Sequence, residues 1–358
     1  MVYNRHMRLS IIVPVYNMAA GGKLSFCLNS LLNQTIDASS YEIIAVDDAS
    51  TDDSYALMRT FEAEHPGHFF ALRHEVNRHQ GGAKNTGLKQ ARGEWISFID
   101  ADDWVAPTFY EELFAIAEKE NAEVAGCDYS LVTTQTFDIG IIDKNGSPAQ
   151  AGPRTLESLK ARILNPGSLP VKIFQRALLA KAQASLQDHK LFPEDIFYED
   201  NAIAAFLMAT ADRYAYLEKP LYYYYQHDTS TVHTVTRKRL EDRVVSSRLM
   251  LDLARKSGTL QECPEEICYV FTRLFYINTL FSALQVHPAP EGCYGFCRDL
   301  AAEMKRTFPQ FRNNPYYQQE VAPEEKKLID LQMRSHAGFY LYYRLLWWYR
   351  DHLRGKRS

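Results

Sequence analysis

The feature that most constrains this chain is the way two hydrophobic periods alternate over its first hundred residues. Leu9 to Val15, Glu42 to Val46 and Trp95 to Ile99 are short apolar runs that read as strands. Between them, Leu24 to Leu32 and Ser54 to Glu64 carry apolar residues at helical spacing. Strands that alternate with helices need crossover connections, so the predicted fold is α/β, a mostly parallel sheet with helices on both faces. From about Arg239 the pattern is helical alone, over 239–256, 265–286 and 293–307, punctuated by Gly258, Pro264, Pro288, Pro290 and Pro309. The expected organisation is an α/β domain at 1–235 followed by a C-terminal helical region at 236–358.

Composition narrows the class. A chain of 358 residues, 46% hydrophobic and 23% charged, has the make-up of an ordinary globular protein with ample core. A net charge of −4 argues against nucleic acid as a partner, because that affinity rests on many cationic contacts to phosphate. No run approaches ~18–20 uninterrupted apolar residues, so no spanning helix is expected. The start, MVYNRHMRLSIIVPVYN, lacks the long apolar core and small-residue cleavage site of a signal peptide. The six cysteines contain no C-x-x-C pair, and the spacing of Cys293 and Cys297 is not by itself a zinc site. Reduced, structural thiols in a cytosolic protein are expected.

In open parallel sheets, ligands bind beyond the carboxyl ends of the strands. Pro14-Val15-Tyr16-Asn17 follows the first strand, Asp47-Asp48-Ala49-Ser50-Thr51-Asp52 the second, and Asp100-Ala101-Asp102-Asp103 the run WISFI. Ser50 to Asp53 could cap a helix, but two acidic clusters at one edge repel unless something cationic or hydrogen-bonding separates them. Asp100 and Asp102, two apart on a chain leaving a strand, can offer oxygen ligands to Mg²⁺ or Mn²⁺ and so bridge the protein to a diphosphate. Asp47 or Asp48 can accept from a base N–H or from ribose hydroxyls. In NRHQGGAKNTGLKQARG, Gly81 and Gly82 allow close backbone approach and Lys84 could meet a phosphate, whereas Lys89 and Arg92 read as solvated. FPEDIFYEDN holds two acidic pairs, Glu194-Asp195 and Glu199-Asp200. Either could supply a base for a sugar hydroxyl, and Asp195 could instead cap the following helix.

Taken in order, SIIVPVYN, CLNSLLNQT, EIIAVDDASTDDS, NTGLKQARGEWISFIDADDW and FYED resemble family 2 glycosyltransferases over about residues 8–230. The resemblance implies a GT-A fold and inverting transfer of a sugar from a nucleotide donor, a UDP-sugar above others, to a hydroxyl of a glycan or lipid-linked acceptor. It puts Pro14, Val15 and Asn17 beside the nucleotide and Asp47 and Asp48 on the base or ribose. It gives Asp100, Ala101 and Asp102 to the donor, with Asp102 and Asp100 on Mn²⁺ or Mg²⁺. It makes Asp200 the catalytic base, with Glu199 beside the donor. Lys84 stands where these proteins often have Arg, and Ala49 replaces the Gly of VDDGS. The absence of Q-x-x-R-W implies one sugar added per encounter.

In LYYYYQHDTSTVHT, His227 and His233 are candidate metal or phosphate ligands, against the alternative of ordinary surface or core histidines. From Arg334 to Ser358 the tail is aromatic, with six Lys or Arg and one Asp. It fits either a helix at a membrane interface or a terminal helix docked on its own domain. The helical region is thus assigned to the acceptor side, to oligomerisation as a homodimer or to membrane association. The expected location is the cytoplasm, including the inner face of the cell membrane. Two rivals are a nucleotidyltransferase, which would show a glycine-rich cationic loop after the first strand, and a non-catalytic sugar-nucleotide binding module.

Overall fold

The computed structural model describes residues 7–186, 188–226, 235–285 and 292–349. The chain divides into two compact units, Met1–His233 and Thr234–Ser358.

The first unit is built on ten strands: β1 (Leu9–Val15), β2 (Tyr41–Asp47), β3 (Phe69–Arg73), β4 (Trp95–Phe98), β5 (Trp104–Val105), β6 (Val124–Val132), β7 (Ile141–Asp143), β8 (Gly152–Pro153), β9 (Lys172–Gln175) and β10 (Arg213–Tyr225). Among the described residues, seven α-helices accompany them: α1 (Lys23–Leu32), α2 (Ser54–Glu64), α3 (His79–Gln90), α4 (Phe109–Glu120), α5 (Leu156–Leu164), α6 (Arg176–Ala184) and α7 (Glu199–Thr210). The sheet order is β3-β2-β1-β4-β9-β6-β10-β5, with β7 on β6 and β8 on β10.

The long pairings, β1 with β2 and β4, β2 with β3, and β6 with β10, are parallel. The antiparallel ones are short, and β9 inserts between β4 and β6 in that sense. The physical cause is burial. Every residue of β1 and β2 is buried, as in strands covered on both faces, so their sequences read as unbroken apolar runs. The polar exceptions are paired: Ser10 Oγ donates to Glu42 at 2.6 Å, and Arg92 Nε donates to the same carboxylate at 2.8 Å. Arg92, read from sequence as solvated, therefore keeps an exposed edge but anchors the end of α3 to β2. Pro220 lacks a ladder N–H, and the β6–β10 register shifts on either side of it.

The segment His79–Gln90 is helical throughout. Its glycines are there for contact. A Cβ on Gly87 would lie 2.4 Å from Ile12 Cγ2 of β1, and one on Gly81 would lie 1.9 Å from the carbonyl oxygen of Pro193.

The second unit is helical: α8 (Arg237–Lys256), α9 (Thr259–Glu262), α10 (Pro264–Phe271), a π-helical stretch Thr272–Ile277, α11 (Asn278–Gln285), α12 (Cys293–Thr307), α13 (Pro315–Glu320), α14 (Pro323–Arg334) and α15 (His336–Tyr349). Pro264–Gln285 is long and apolar enough to cross a membrane by length and composition, which the sequence reading did not anticipate. Of its most apolar 18-residue window, 67% is buried within the protein, as in a core helix. All six cysteines are buried, and none is bridged to another.

Candidate active site

Three strand ends and one helix start bring the polar residues together. β1 ends inside the sheet with Pro14 and Val15 both buried, and the Val15 carbonyl accepts the N–H of Asp48 at 2.8 Å. Asn17 follows in the left-handed region, φ 53°. Its Oδ1 accepts from Thr51 N at 2.9 Å, and its own N–H donates to Ser50 Oγ at 2.9 Å. Pro14, Val15 and Asn17 thus shape one loop pair, with Asn17 spending its side chain on that task.

Asp47 is fully buried and pairs with Arg73 Nε at 3.1 Å, while its Oδ1 has no hydrogen-bond partner. A buried orphan acceptor is costly, and a ligand N–H is one way to satisfy it. Asp48 is also buried. One of its oxygens meets His74 Nδ1 at 2.7 Å and accepts Arg78 N at 2.8 Å. Ala49 lies between these residues and Ser50 with φ 60°, a conformation that explains why glycine is common in the resembling motif.

Beyond β4 the chain turns through Asp100 to Asp103. Ala101 is buried in the core, whereas Asp100 and Asp102 are partly exposed. Burial is the main cause that pushes the Asp100 carboxyl up to about 7. Lys84 opposes the rise, and the negative charges of Asp102, Glu199 and Asp200 add to it. Groups 100 residues apart in the chain are therefore electrostatic neighbours here. Asp103 is buried and accepts from Tyr222 Oη at 2.6 Å and from Tyr225 N at 2.8 Å. That structural role was not recognised from sequence. A cavity of about 240 Å³ opens beside Asp100, lined also by Asp103, Tyr129, Ser168, Tyr222 and Tyr224.

The fourth contribution is the start of α7. Tyr198, its N-cap residue, is held at φ 64°, a conformation that costs a bulky residue of order 1–3 kcal/mol and recurs at functional sites. Glu199 is buried and accepts from Lys84 Nζ at 2.6 Å. Lys84, expected from sequence to meet a phosphate, has its buried amine paired with Glu199 here, because an amine removed from water needs a countercharge. The close approach at Gly81 is taken by the Pro193 carbonyl and that at Gly82 by Arg78 Cβ. Asp200 keeps one side open to solvent; the protein packed against its other side, then the charge of Glu199, push its carboxyl up, while Lys84 and the Asn201 N–H hold it down.

The other acidic pair is accounted for differently. Asn85 Nδ2 donates to Phe192 O at 2.8 Å and to Glu194 Oε1 at 3.1 Å, and Lys190 Nζ donates to Glu194 Oε2 at 2.8 Å. Asp195 precedes α7 by several residues and is not its cap. Neither His227 nor His233 lies among the described residues. Among those that do, no group of three or more His, Cys, Asp or Glu stands ready-made around one metal position. The donors at Asp100 and Asp102 are nonetheless oxygens in a cluster of negative charge, which fits a hard divalent cation.

Residues 10–168 match the model of glycosyl transferase family 2. Over that stretch the chain is similar to family 2 glycosyl transferases. The chain is similar to the uncharacterized glycosyltransferase YibD of Escherichia coli, 30% identical over 231 residues, 63% of this chain and 64% of that one. It is also similar to TarS of Staphylococcus aureus, a poly(ribitol-phosphate) beta-N-acetylglucosaminyltransferase, 28% identical over 224 residues, 61% of this chain and 35% of TarS. The chain thus spans just under two thirds of YibD's length and about a third of that of TarS. The structure of TarS 1-349 with UDP-GlcNAc superposes with a TM-score of 0.59 at 22% identity, covering 88% of this chain and 93% of that one. A mannosyltransferase from Pyrobaculum calidifontis, solved with GDP-Man and Mn²⁺, superposes with a TM-score of 0.50 at 16% identity, covering 93% and 86%. At these identities the solved structures establish the common fold.

Proposed function

We propose that the protein is an inverting glycosyltransferase. It moves a sugar from a nucleotide-diphosphate donor, UDP-linked before others, to an acceptor hydroxyl on a glycan or lipid-linked glycan. The observation that carries this reading is the buried pair of Lys84 Nζ and Glu199 at 2.6 Å, with the charges of Asp100 and Asp200 also acting on that amine and that of Asp102 acting on Asp100. The strand-end carboxylates suit the donor side and Asp200 the acceptor side. The TarS fold neighbours, solved with UDP-GlcNAc and with UDP, support a uridine donor. The orphan acceptor on Asp47 supports recognition of a base N–H.

In this mechanism Asp200 takes the proton of the acceptor hydroxyl as the oxygen attacks the anomeric carbon. Only the deprotonated carboxylate can take that proton. The bond from that carbon to the diphosphate oxygen breaks on the opposite face, and the electron pair leaves with the nucleoside diphosphate. One displacement inverts the configuration, and no covalent nucleophile is used. Asp100 and Asp102 would hold Mn²⁺ or Mg²⁺, which when bound neutralises charge growing on the diphosphate. Lys84 keeps Glu199 paired, so that Asp200 is not faced by a second unpaired carboxylate.

The test is Asp200→Asn assayed with a panel of UDP- and GDP-sugars. The variant should keep its donor-induced thermal shift and lose transfer by roughly 10²–10⁴-fold, the usual contribution of a general base. Unchanged transfer would remove Asp200 from the reaction. Donor affinity that is the same with and without Mn²⁺ would remove Asp100 and Asp102 as metal ligands.

A further inference from the structure

α15 is apolar well beyond the side it buries. Its inner side is fastened to its own unit. Phe339 is fully buried, His336 Nε2 meets the Tyr294 carbonyl of α12 at 2.9 Å, and the Tyr340 and Tyr294 rings lie 5.1 Å apart. On the outer side, Leu341, Tyr342, Leu345, Leu346, Trp348 and Tyr349 are each 37–62% exposed. With 3.6 residues per turn these six positions share one arc of about 160°, so they form a strip rather than scattered singles. Soluble proteins seldom leave such a strip uncovered, and a helix apolar all round belongs in a core or in lipid.

Charge decides what covers it. Arg344 is the only charged residue of α15 with histidine neutral, and the sequence that follows adds Arg350, Arg354, Lys356 and Arg357 against Asp351. The stretch 344–358 therefore carries five positive charges and one negative, in a chain whose net charge is −4. A second copy seated on the strip with its helix parallel, about a two-fold axis along the helix, would bring two such basic stretches together. Anionic headgroups would neutralise them instead. Trp and Tyr, with an apolar body and a polar tip, suit the zone where headgroup meets acyl chain.

We propose that α15 is a peripheral membrane anchor that lays its outer apolar strip into the surface of an anionic lipid bilayer. This goes beyond the proposed reaction and does not depend on it, because lipid binding is read without turnover. The full chain is sedimented with vesicles of phosphatidylcholine and phosphatidylglycerol in equal parts, and with phosphatidylcholine alone. Binding is expected to the mixed vesicles, at least tenfold weaker to the neutral ones, and weakened by 0.5 M salt. The double variant Leu341→Glu/Leu345→Glu should abolish it while leaving donor hydrolysis unchanged. Arg354→Gln/Lys356→Gln/Arg357→Gln, which touches no apolar position, should weaken it tenfold or more and serves if the first variant does not fold. Absence of binding to the mixed vesicles, or equal binding to both kinds, overturns the proposal. So does a dimer in light scattering that Leu341→Glu/Leu345→Glu splits while vesicle binding is absent; the strip then belongs to a second copy.

Discussion

Two single positions and one buried pair carry measurable consequences. Ala49 sits at φ 60° in the loop after β2. A residue with a Cβ is disfavoured there by about 1 kcal/mol, so Ala49→Gly should raise the stability of the first unit by about that amount in a denaturant titration. Lys84 and Glu199 are buried partners, and removing one leaves the other charged and unsolvated. Lys84→Met should cost roughly 3–5 kcal/mol, and Lys84→Met/Glu199→Gln should recover most of it. If the single and double variants unfold at the same denaturant concentration, the pair is not coupled. Lys172 of β9 is buried with its Nζ donating to Ser168 O at 2.5 Å, and desolvation pushes its pKa down to about 7. The unfolded chain holds that proton up to about pH 10.4, so between pH 7 and 10 it binds more protons than the folded one. Stability from this group therefore rises with pH across that window, and the penalty is fully present below pH 7. Lys172→Met should be more stable than the parent at pH 7 by roughly 2–4 kcal/mol, part of the gain being offset by the Ser168 carbonyl it leaves unpaired. The advantage should vanish near pH 10.

At the scale of elements, what sequence reveals depends on whether a pattern is local. β1 and β2 are legible because strands buried on both faces cannot be anything but continuous apolar runs. The acidic ends of β2 and β4 are legible for the same reason, since they interrupt those runs at the sheet edge where ligands bind. α3 is less so. Gly81, Gly82 and Gly87 weaken a helix on propensity, and only the neighbours they admit, Pro193 and Ile12, explain them. The short antiparallel insertion of β9 leaves no periodic trace in four residues. The Lys84–Glu199 pair joins residues 115 apart, and no spacing rule reaches that far. Gly81→Ala tests the element-level reading. Its methyl would strike a backbone carbonyl rather than a side chain that can swing away, so a cost of about 1–3 kcal/mol is expected from overpacking. The same methyl displaces the segment leading to Tyr198, so transfer should fall even where the protein remains folded. Full activity in a folded Gly81→Ala protein would mean that this contact does not position the start of α7.

At the scale of the whole molecule, the change from alternating to purely helical patterning marks two units because each pattern buries its apolar residues in its own way. A sheet covered by helices and a helical unit have separate cores, and the two compact units follow from that. Calorimetry should resolve two transitions. A UDP-sugar with Mn²⁺ should raise only the one that belongs to residues 1–233, because a ligand stabilises the unit that holds its site. A single transition that shifts as a whole would mean the units unfold together. The basic character of the C-terminal tail is likewise legible in the sequence. That α15 turns six apolar side chains outward is not, because a docked terminal helix and a surface one share the same composition.

The bond between Lys84 and Glu199 also has a meaning for how such sequences change over time. A mutation at either position alone strands its partner in the dry interior, so a lineage crosses through an unstable intermediate to alter just one of them. A cation at 84 and an acid at 199 should therefore be inherited as a couple, persisting together or disappearing together, even between relatives whose acceptors differ.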